Sequence, residues 1–380
     1  MTGGTPSTKD TTNYIDGDIP WIVSGDIHRG EIFDASKRIT RRGMERSPAK
    51  LLPENSILIA LNGQGRTRAT VAWLRMSGAT CNQSIVAIIP SSPSTLDYQY
   101  LYTTLRSMYQ QLRNLTGDKN RAGLNMGLIG KVQIPLPPLE EQKRIAGILD
   151  AADILRAKRR ESLAKLDDLL QSTFLDLFGD PVTNPKGWEK SLIGDVVTRL
   201  TNGYVGPTRD IYLESGIPYL LARHVHHNNL KFDGKTYVSE AFNQKHSKSI
   251  LRAGDVLLVQ SGHIGESAVV PEEHEGNNCH AMIVITPVID SLNGVYLSHL
   301  FQVLHKMHFW DKIKTGISVP HLNCREVKKI PIPTPPLDLQ QRFAEIVSSV
   351  EEQKAKMRKH LEQLDDLFAS LQQRAFRGDL

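Results

Sequence analysis

The sequence predicts an α+β protein in which one unit, a mixed α/β globular module followed by a long helix, occurs twice in tandem. The segment from Leu139 to Leu177 recurs without gaps as Leu337 to Ala375, a shift of 198 residues. Both copies follow a proline run, and both have apolar residues at helical spacing. Short apolar runs separated by turn residues, which are typical of β-strands, precede each copy.

The repeat extends to nearly the whole chain. At the same shift Ile19-Pro20 falls on Ile217-Pro218, His28 on His226, Cys81 on Cys279, Gln142 on Gln340, and Leu166-Asp167-Asp168-Leu169 on Leu364-Asp365-Asp366-Leu367. The predicted divisions are a first module at 1–133, a proline run and long helix at 134–180, a second module at 181–331, and a second proline run and helix at 332–380. Trp188 to Val197 have no counterpart at the chain start, so we expect a natively shortened first module or a misassigned start codon.

The long helices are predicted from proline and apolar spacing. After each proline run about 38 residues follow without proline, enough for a helix of about 57 Å. Apolar steps of three and four residues indicate a coiled-coil seam, for which the other copy is the obvious partner, although two independent surface helices are the alternative. The seam residues are Ile145, Leu149, Ala152, Leu163, Leu166, Leu170, Thr173 and Leu177, and then Phe343, Val347, Val350, Met357, Leu361, Leu364, Phe368, Leu371 and Ala375. Arg156 and Arg159 interrupt the first stripe, and Lys354 interrupts the second.

Each module is predicted to contain strands and one helix. In the first module the strands are expected at 19–23, 56–61, 69–74 and 84–89 and the helix at 98–115. In the second the strands are expected at 217–221, 255–260, 267–271 and 281–287 and the helix at 297–313. Gly179-Asp180-Pro181 is expected to end the first long helix.

Composition excludes some classes of protein and leaves others open. The 380 residues are 40% hydrophobic and 23% charged, as in ordinary globular proteins. A formal net charge of +5 is compatible with a polyanionic partner but is shared by many unrelated proteins. The three cysteines have neither disulfide nor zinc spacing, and no apolar run approaches the 18 residues of a membrane span. We therefore expect a cytoplasmic protein without a membrane partner.

Motifs for catalysis or metal binding are not found. The phosphate-loop, zinc-protease, nucleophile-elbow and aminomethyltransferase signatures are all missing from the sequence. The stretch Arg223-His224-Val225-His226-His227 would place His224 and His226 on one face of a strand, but no nearby carboxylate or cysteine is expected to complete a metal site. A polar or phosphate-facing loop is the favoured interpretation, and no metal is predicted.

Two glycine-rich loops carry the candidate nucleic-acid contacts. Their amide, hydroxyl, imidazole and guanidinium groups can read base edges and bind phosphates, although plain hairpin turns are the alternative. Segments just before the proline runs, Thr116 to Leu124 and Lys314 to Leu322, have a similar character. The candidates are Asn62, Gln64, Arg66, Arg68, Lys119 and Arg121 in the first module, and Arg223, His224, Gln260, Ser261, His263 and His321 in the second.

The repeated motifs resemble those of a known family. Tandem modules, each followed by Ile-Pro-x-Pro-Pro-Leu-x-x-Gln-x-Arg and a long helix with Leu-Asp-Asp-Leu near its end, resemble the DNA-specificity subunit of type I restriction-modification enzymes. The most telling stretches are Ile134 to Leu169, Ile332 to Leu367 and Gly3 to Ile22. The resemblance implies two target recognition domains, each reading one half of a split, asymmetric double-stranded DNA site, and two long helices paired as an antiparallel coiled-coil spacer.

The resemblance also implies partners. The helices would dock two modification (methyltransferase) subunits, to which restriction (translocase-nuclease) subunits add in a restriction endonuclease and adenine methyltransferase complex. The specificity subunit itself would perform no chemistry and bind no cofactor, whereas its partners would use S-adenosylmethionine, ATP and Mg²⁺. Two alternatives remain open: a coiled-coil scaffold whose modules bind proteins, and the same recognition architecture in a two-subunit restriction enzyme.

Overall fold

The computed structural model of the chain describes residues 1–63, 65–116, 123–314 and 320–379, without the side chains of 376 and 377. The chain divides into two compact units, Met1–Arg159 with His360–Leu380, and Arg160–Lys359. Each unit therefore contains one globular module, one half of the first long helix and one half of the second. The predicted α+β class is confirmed. In the described part of the chain, no helix is both long enough and apolar enough to cross a membrane.

The first module is built on two small sheets. One has the strand order β2-β5-β4-β7 and the other β3-β1-β6. The strands are β1 (Ile19–Ile22), β2 (Glu31–Ile32), β3 (Arg38–Ile39), β4 (Ile57–Ala60), β5 (Val71–Leu74), β6 (Thr80–Cys81) and β7 (Ile85–Ile88). The helices are α1 (Arg41–Glu45), α2 (Tyr98–Ser107), α3 (Tyr109–Asn114) and α4 (Met126–Ile129).

Both faces of the central strand β4 are covered, which explains its unbroken apolar sequence. Ile57 and Ile59 belong to the apolar cluster that includes residues of α2 and α3. Leu58 and Ala60 belong to a second cluster, on the other face of the sheet, that includes Ile22 of β1. The predicted strands of this module are confirmed.

The single helix predicted at 98–115 is wrong. The chain forms two helices, because Met108 has a ψ angle of 11° and leaves the helical path. Just before this break the hydroxyl of Ser107 donates a hydrogen bond of 2.7 Å to the carbonyl of Thr104, as serine often does when it competes with the helical backbone. Apolar spacing alone does not reveal such a break.

The first long helix, α5 (Leu139–Phe178), has the predicted extent. Its end is set by Gly179, which has a φ angle of +79° and donates its backbone N–H to the carbonyl of Leu175 at 2.8 Å. A left-handed glycine in this position is a common helix terminator. The prediction that a Gly-Asp-Pro turn ends the helix is confirmed.

The second module repeats the plan of the first. Its sheets have the orders β15-β14-β17-β9, β13-β10-β16, β11-β12 and β18-β8. The strands are β8 (Lys190–Leu192), β9 (Val197–Asn202), β10 (Ile217–Leu220), β11 (Val225–His226), β12 (Asn229–Leu230), β13 (Tyr237–Val238), β14 (Val256–Val259), β15 (Ser267–Val269), β16 (Asn278–Cys279), β17 (Met282–Pro287) and β18 (Pro331–Pro333). The helices are α6 (Glu240–Lys245), α7 (Gly294–Lys306), α8 (Cys324–Lys328) and α9 (Leu337–Arg377). Short 3₁₀ helices lie at Thr11–Asn13, Asp26–Arg29, Ile193–Asp195, Ala222–His224, Ser247–Ser249, Glu272–His274 and Phe309–Lys312.

The repeated glutamines attach each long helix to its module. The Gln142 side chain accepts from the backbone N–H of Asp97 at 2.9 Å and donates to two backbone carbonyls. Gln340 accepts from the N–H of Asn293 at 2.8 Å and likewise donates to two carbonyls. Both amides are fully buried. Because an unsatisfied buried amide is costly, these contacts fix where each helix begins relative to its sheet.

The repeated cysteines belong to the core. Cys81 and Cys279 lie on short strands that pair in parallel with β1 and β10, and both are fully buried. Burial raises the pKa of each thiol to about 12. Both therefore act as small apolar residues rather than as nucleophiles or ligands.

Within each unit the two long helices run antiparallel. In the first unit Ile145 and Leu149 pack in one cluster with Ala375, and Arg156 Nε lies 2.5 Å from Asp365 Oδ1. In the second unit Phe174 packs edge-on to Phe343, and Lys354 Nζ lies 2.6 Å from Asp167 Oδ1. The antiparallel direction is therefore present in each unit. Pairing as one coiled coil along the full length stays a prediction.

The predicted seam needs one correction. At the end of α5, Thr173 and Leu177 are only half-buried, whereas Phe174 and Phe178 are 1% and 2% exposed. These two rings join the core of the second module, where both also contact Tyr296. The core of the module therefore buries the adjacent, aromatic face of the helix, which a strict coiled-coil pattern does not include.

Candidate nucleic-acid interface

The glycine-rich loop of the first module connects β4 to β5. Its glycines have left-handed φ angles, +138° at Gly63 and +60° at Gly65. Helix α3 holds the loop from behind: the Tyr109 hydroxyl donates to the carbonyl of Arg66 at 3.0 Å, and Arg113 Nη1 donates to the carbonyl of Gly65 at 2.7 Å. The Arg66 side chain is exposed. The loop therefore presents a guanidinium from a fixed backbone.

The two arginines of this loop differ in burial. Arg68 is only 9% exposed, whereas Arg66 and Asn62 are exposed. Gln64, Lys119 and Arg121 lie outside the described residues. Of the predicted first-module contacts in the described part, Asn62 and Arg66 thus meet solvent and Arg68 faces inward.

The matching loop of the second module is shorter and closes on itself. The N–H of Val259 donates to the carbonyl of Glu266 at 2.8 Å. Inside the loop His263 is exposed, Ser261 is half-buried, and Gln260 is 8% exposed. Glu266 is buried, and its Oε2 accepts from the N–H of His227 at 2.7 Å. Its carboxylate therefore fixes the neighbouring β11-β12 hairpin.

In each module a described residue shortly before the proline run, Leu124 or Leu322, is hydrogen-bonded to the start of the glycine-rich loop. The N–H of Leu124 donates to the carbonyl of Leu61, and the N–H of Leu322 to the carbonyl of Gln260, both at 2.9 Å. Ser261 and His321 consequently form an antiparallel bridge. Candidates from two distant stretches of sequence are thus brought together.

The same contact in the first module places Asn62 beside Gly123. A Cβ added at Gly123 would lie 1.9 Å from Asn62 Oδ1, so a larger residue there would displace the exposed Asn62 side chain. The corresponding pair in the second module is Ser261 with the exposed His321. Equivalent positions of the two modules therefore present different polar groups.

The expected arrangement of the histidine cluster is wrong. His224 ends the 3₁₀ helix Ala222–His224 and is 3% exposed, whereas His226 lies in β11 and is exposed, so they share no strand face. A carboxylate nevertheless lies beside this cluster. Asp233 Oδ1 lies 3.1 Å from His224 Nε2, and Asp233 Oδ2 lies 3.1 Å from Arg223 Nε.

Both ring nitrogens of His224 face protein groups. Its Nδ1 accepts from the N–H of Leu221 at 3.1 Å, and its Nε2 lies within ion-pair distance of the Asp233 carboxylate. Burial, against the opposing effect of Asp233, lowers the pKa of His224. Among the residues that the structure describes, no group of three histidines, cysteines or carboxylates could hold a metal ion.

Sequence reasoning omitted His28 and His226 from the candidates. His28 Nε2 lies 3.0 Å from Thr67 Oγ1 of the first glycine-rich loop, and the His226 ring lies 5.6 Å from the His263 ring of the second. Both histidines are exposed. Their coincidence at the repeat shift was the signal that could have identified them.

Comparison with known proteins gives a consistent family. The family model described as the type I restriction modification DNA specificity domain matches residues 1–165 and 185–365. The MjaIX type I restriction enzyme specificity subunit of Methanocaldococcus jannaschii is 25% identical over 369 residues, which cover 91% of this chain and 82% of that protein. The EcoR124I/EcoR124II specificity subunit of Escherichia coli is 31% identical over 173 residues, 45% of this chain and 43% of that protein.

Solved structures share the fold. The S subunit of a type I restriction-modification system from M. genitalium aligns with a TM-score of 0.57 and 17% identity, over 98% of this chain and 92% of the other. A chain from a structural study of the assembly and conformational transition of the type I system aligns with a TM-score of 0.60 and 18% identity, over 100% of this chain and 95% of the other.

Proposed function

The chain belongs to the family of type I restriction-modification DNA specificity proteins, and from that premise we propose that it reads a bipartite, asymmetric DNA sequence with one module on each half-site. It is a DNA-specificity subunit, the non-catalytic recognition component of such a system. The observation that carries the proposal is that the two modules have the same plan but different polar groups at equivalent loop positions. Asn62 lies beside Gly123 in one module, and Ser261 beside His321 in the other.

This difference supports unlike half-sites. Direct readout depends on which donors and acceptors a protein presents to the base edges. Equivalent positions that carry an amide and no side chain in one module, but a hydroxyl and an imidazole in the other, present different patterns. A symmetric recognition sequence would favour like residues at these positions.

The long helices are proposed to space the modules and to dock two modification subunits, to which restriction subunits add. The repeat supports this proposal, because two copies of one helix offer two copies of one surface. S-adenosylmethionine, ATP and Mg²⁺ would then be used by the partners, and the complex would modify adenine in DNA.

The host methylome, compared with and without this gene, tests the proposal. We expect an asymmetric, interrupted methyladenine motif that is present only with the gene. In a host complemented with His321→Ala, we expect altered or relaxed specificity in one half of that motif and an unchanged other half. A methylome that does not respond to the gene would contradict the proposal.

Binding by the purified chain separates this proposal from a protein-binding scaffold. Phosphate contacts release counterions, so DNA affinity is expected to fall steeply with salt. The scaffold alternative expects no salt-dependent DNA affinity.

A further inference from the structure

His28 and His226 occupy equivalent positions in the two modules. Each follows the strand, β1 or β10, that pairs in parallel with the cysteine-bearing strand. Each lies two residues before a left-handed residue, Gly30 with a φ angle of +76° or Asn228 with +61°. The two positions therefore correspond in the repeat, but the local backbone differs, because His28 lies in a 3₁₀ helix whereas His226 lies in a short strand and precedes the left-handed His227.

Each histidine also contacts the same point of its glycine-rich loop. The partner of His28 is Thr67, and the partner of His226 is His263. The carbonyls of Thr67 and His263 each accept from the backbone N–H three residues later, at 3.1 and 3.2 Å. The two loops differ in length and composition, but each positions one polar side chain against the shared histidine.

The surroundings of His28 suit an anion. His28, Arg66, Arg106 and Tyr109 line one surface depression. Arg106 Nη1 lies 3.2 Å from Asp153 Oδ2, which offsets its charge, whereas Arg66 is exposed. An imidazole nitrogen and an exposed guanidinium at one depression can donate to a phosphate oxygen.

A residue that is identical in two modules does not distinguish two unlike half-sites. The group that every half-site has in common is the backbone phosphate, and phosphate contacts position a protein on DNA whereas base contacts specify the sequence. We propose that His28 and His226 each bind a backbone phosphate of the half-site read by their own module. This contact would set the depth and register of the adjoining loop. The inference rests on the proposed function, because it assumes that each module meets DNA.

Neutral phosphates provide the test. The full chain is titrated against labelled duplexes that carry the methylome-defined site and one methylphosphonate, moved along both strands. For the wild type we expect a phosphate in each half-site whose neutralisation weakens binding roughly tenfold. In His28→Ala the neutral phosphate should no longer weaken binding in one half-site, although it still does in the other. His226→Ala should show the reverse.

Matched variants separate this contact from folding and from base reading. His308→Ala removes an 84%-exposed imidazole and should remain sensitive to the neutral phosphate in both half-sites. His28→Gln and His226→Gln keep a donor and should retain part of the binding. The inference would be overturned if neutral phosphates weakened binding of the alanine variants in both half-sites as they do for the wild type. It would also be overturned if an alanine variant lost its preference for one base pair and kept its sensitivity to the phosphate.

The starting measurement distinguishes the two levels of failure. A wild-type chain without preference for the methylome-defined duplex would overturn the proposed function and this inference with it. A wild-type chain that prefers this duplex, but shows no phosphate coupled to either histidine, would overturn the inference alone. We expect each alanine variant to unfold at the same temperature as the wild type, because both histidine side chains are exposed.

Discussion

Arg66 and Arg68 have the same chemistry in the sequence but different surroundings in the structure. Arg66 projects from a loop whose backbone is held by Tyr109, whereas Arg68 is 9% exposed. The residue pattern predicts that an arginine-bearing loop exists. It does not predict which arginine faces outward, because two residues in an irregular loop have no fixed alternation of sides.

Substitution of Arg66 is expected to weaken DNA binding by removing about one phosphate contact. In Arg66→Ala the slope of the logarithm of affinity against the logarithm of salt should become shallower by about 0.9. Arg66→Lys keeps the charge and should retain the slope, while losing the two-pronged geometry of arginine. Anisotropy titrations at several salt concentrations measure both. An unchanged slope in Arg66→Ala would show that this loop is only a turn.

Arg68→Ala is expected to act on stability instead. A buried guanidinium is accommodated by the surrounding protein, so its removal should lower the unfolding temperature of the first unit more than Arg66→Ala does. Calorimetry on both variants provides the comparison. Equal unfolding temperatures would contradict the assignment of Arg68 to the interior.

His299 makes the second unit sensitive to acid. It is 8% exposed, its Nδ1 accepts from Asn228 Nδ2 at 3.3 Å, and Phe343 lies edge-on at 5.0 Å. Burial, with a smaller contribution from the Lys354 ammonium, lowers its pKa from 6.5 to about 4. Between these values the unfolded chain binds a proton that the folded chain does not. The stability from this group is fully present above about pH 6.5 and is lost as the pH falls toward about 4.

The predicted outcome is a flatter pH dependence in His299→Gln. In the wild type this group should lower the free energy of unfolding by up to about 1.4 kcal/mol per pH unit as the pH falls through that window. Denaturant unfolding at several pH values measures the slope. The control His308→Gln replaces an 84%-exposed imidazole and leaves His299 in place, so the part of the slope that comes from His299 should remain. The same slope in His299→Gln would contradict the prediction.

The long helices show what sequence can and cannot establish about an element. Their extents were predictable because proline runs and Gly179 mark ends through backbone chemistry. The polar interruptions at Arg156 and Lys354 were visible, but not their partners. In the structure each cation pairs with the first aspartate of a Leu-Asp-Asp-Leu motif, Arg156 with Asp365 and Lys354 with Asp167. Partners some 200 residues apart do not follow from local periodicity.

These ion pairs are expected to fix the helix register. Lys354 is 3% exposed, so loss of Asp167 would leave a buried charge that still pairs with Glu351 but lacks its second carboxylate. Asp167→Asn should lower the free energy of unfolding by about 1 to 2 kcal/mol. This loss is smaller than for a fully buried ion pair, because Asp167 itself is 58% exposed. Asp365→Asn should act similarly in the first unit, since Arg156 is 17% exposed.

The second aspartate of each Leu-Asp-Asp-Leu motif serves as the control. Asp168 and Asp366 are the adjacent, exposed aspartates, and their asparagine variants should change the free energy of unfolding by less than about 0.5 kcal/mol. Urea unfolding of the four variants gives the comparison. Equal losses at both aspartates of a motif would indicate that the pairs do not determine register.

The division of the whole chain was only partly predictable. The repeat indicates modules and helices, but the compact units divide the long helices after Arg159 and after Lys359. Each half-helix packs with the opposite half of the other helix and with one module. A repeat locates copies along the sequence, whereas the compact units are determined by which surfaces become buried together.

This division suggests where to lengthen the proposed spacer. Four residues inserted between Arg159 and Arg160, and four between Lys359 and His360, fall at the boundaries of the units and retain the ion pairs within each unit. An insertion in one helix alone leaves the two helices unequal in length and should reduce stability. Matched lengths are therefore the sharper test.

The paired insertion is expected to lengthen the gap in the recognised sequence. Four helical residues add about 6 Å and turn the helix by about 40° beyond one turn. At about 3.4 Å per base pair, 6 Å corresponds to between one and two base pairs. The modules are unaltered, so both half-sites should stay the same while the gap grows. The methylome of a host that carries the variant measures both. An unchanged gap, or altered half-sites, would show that the helices do not set the spacing.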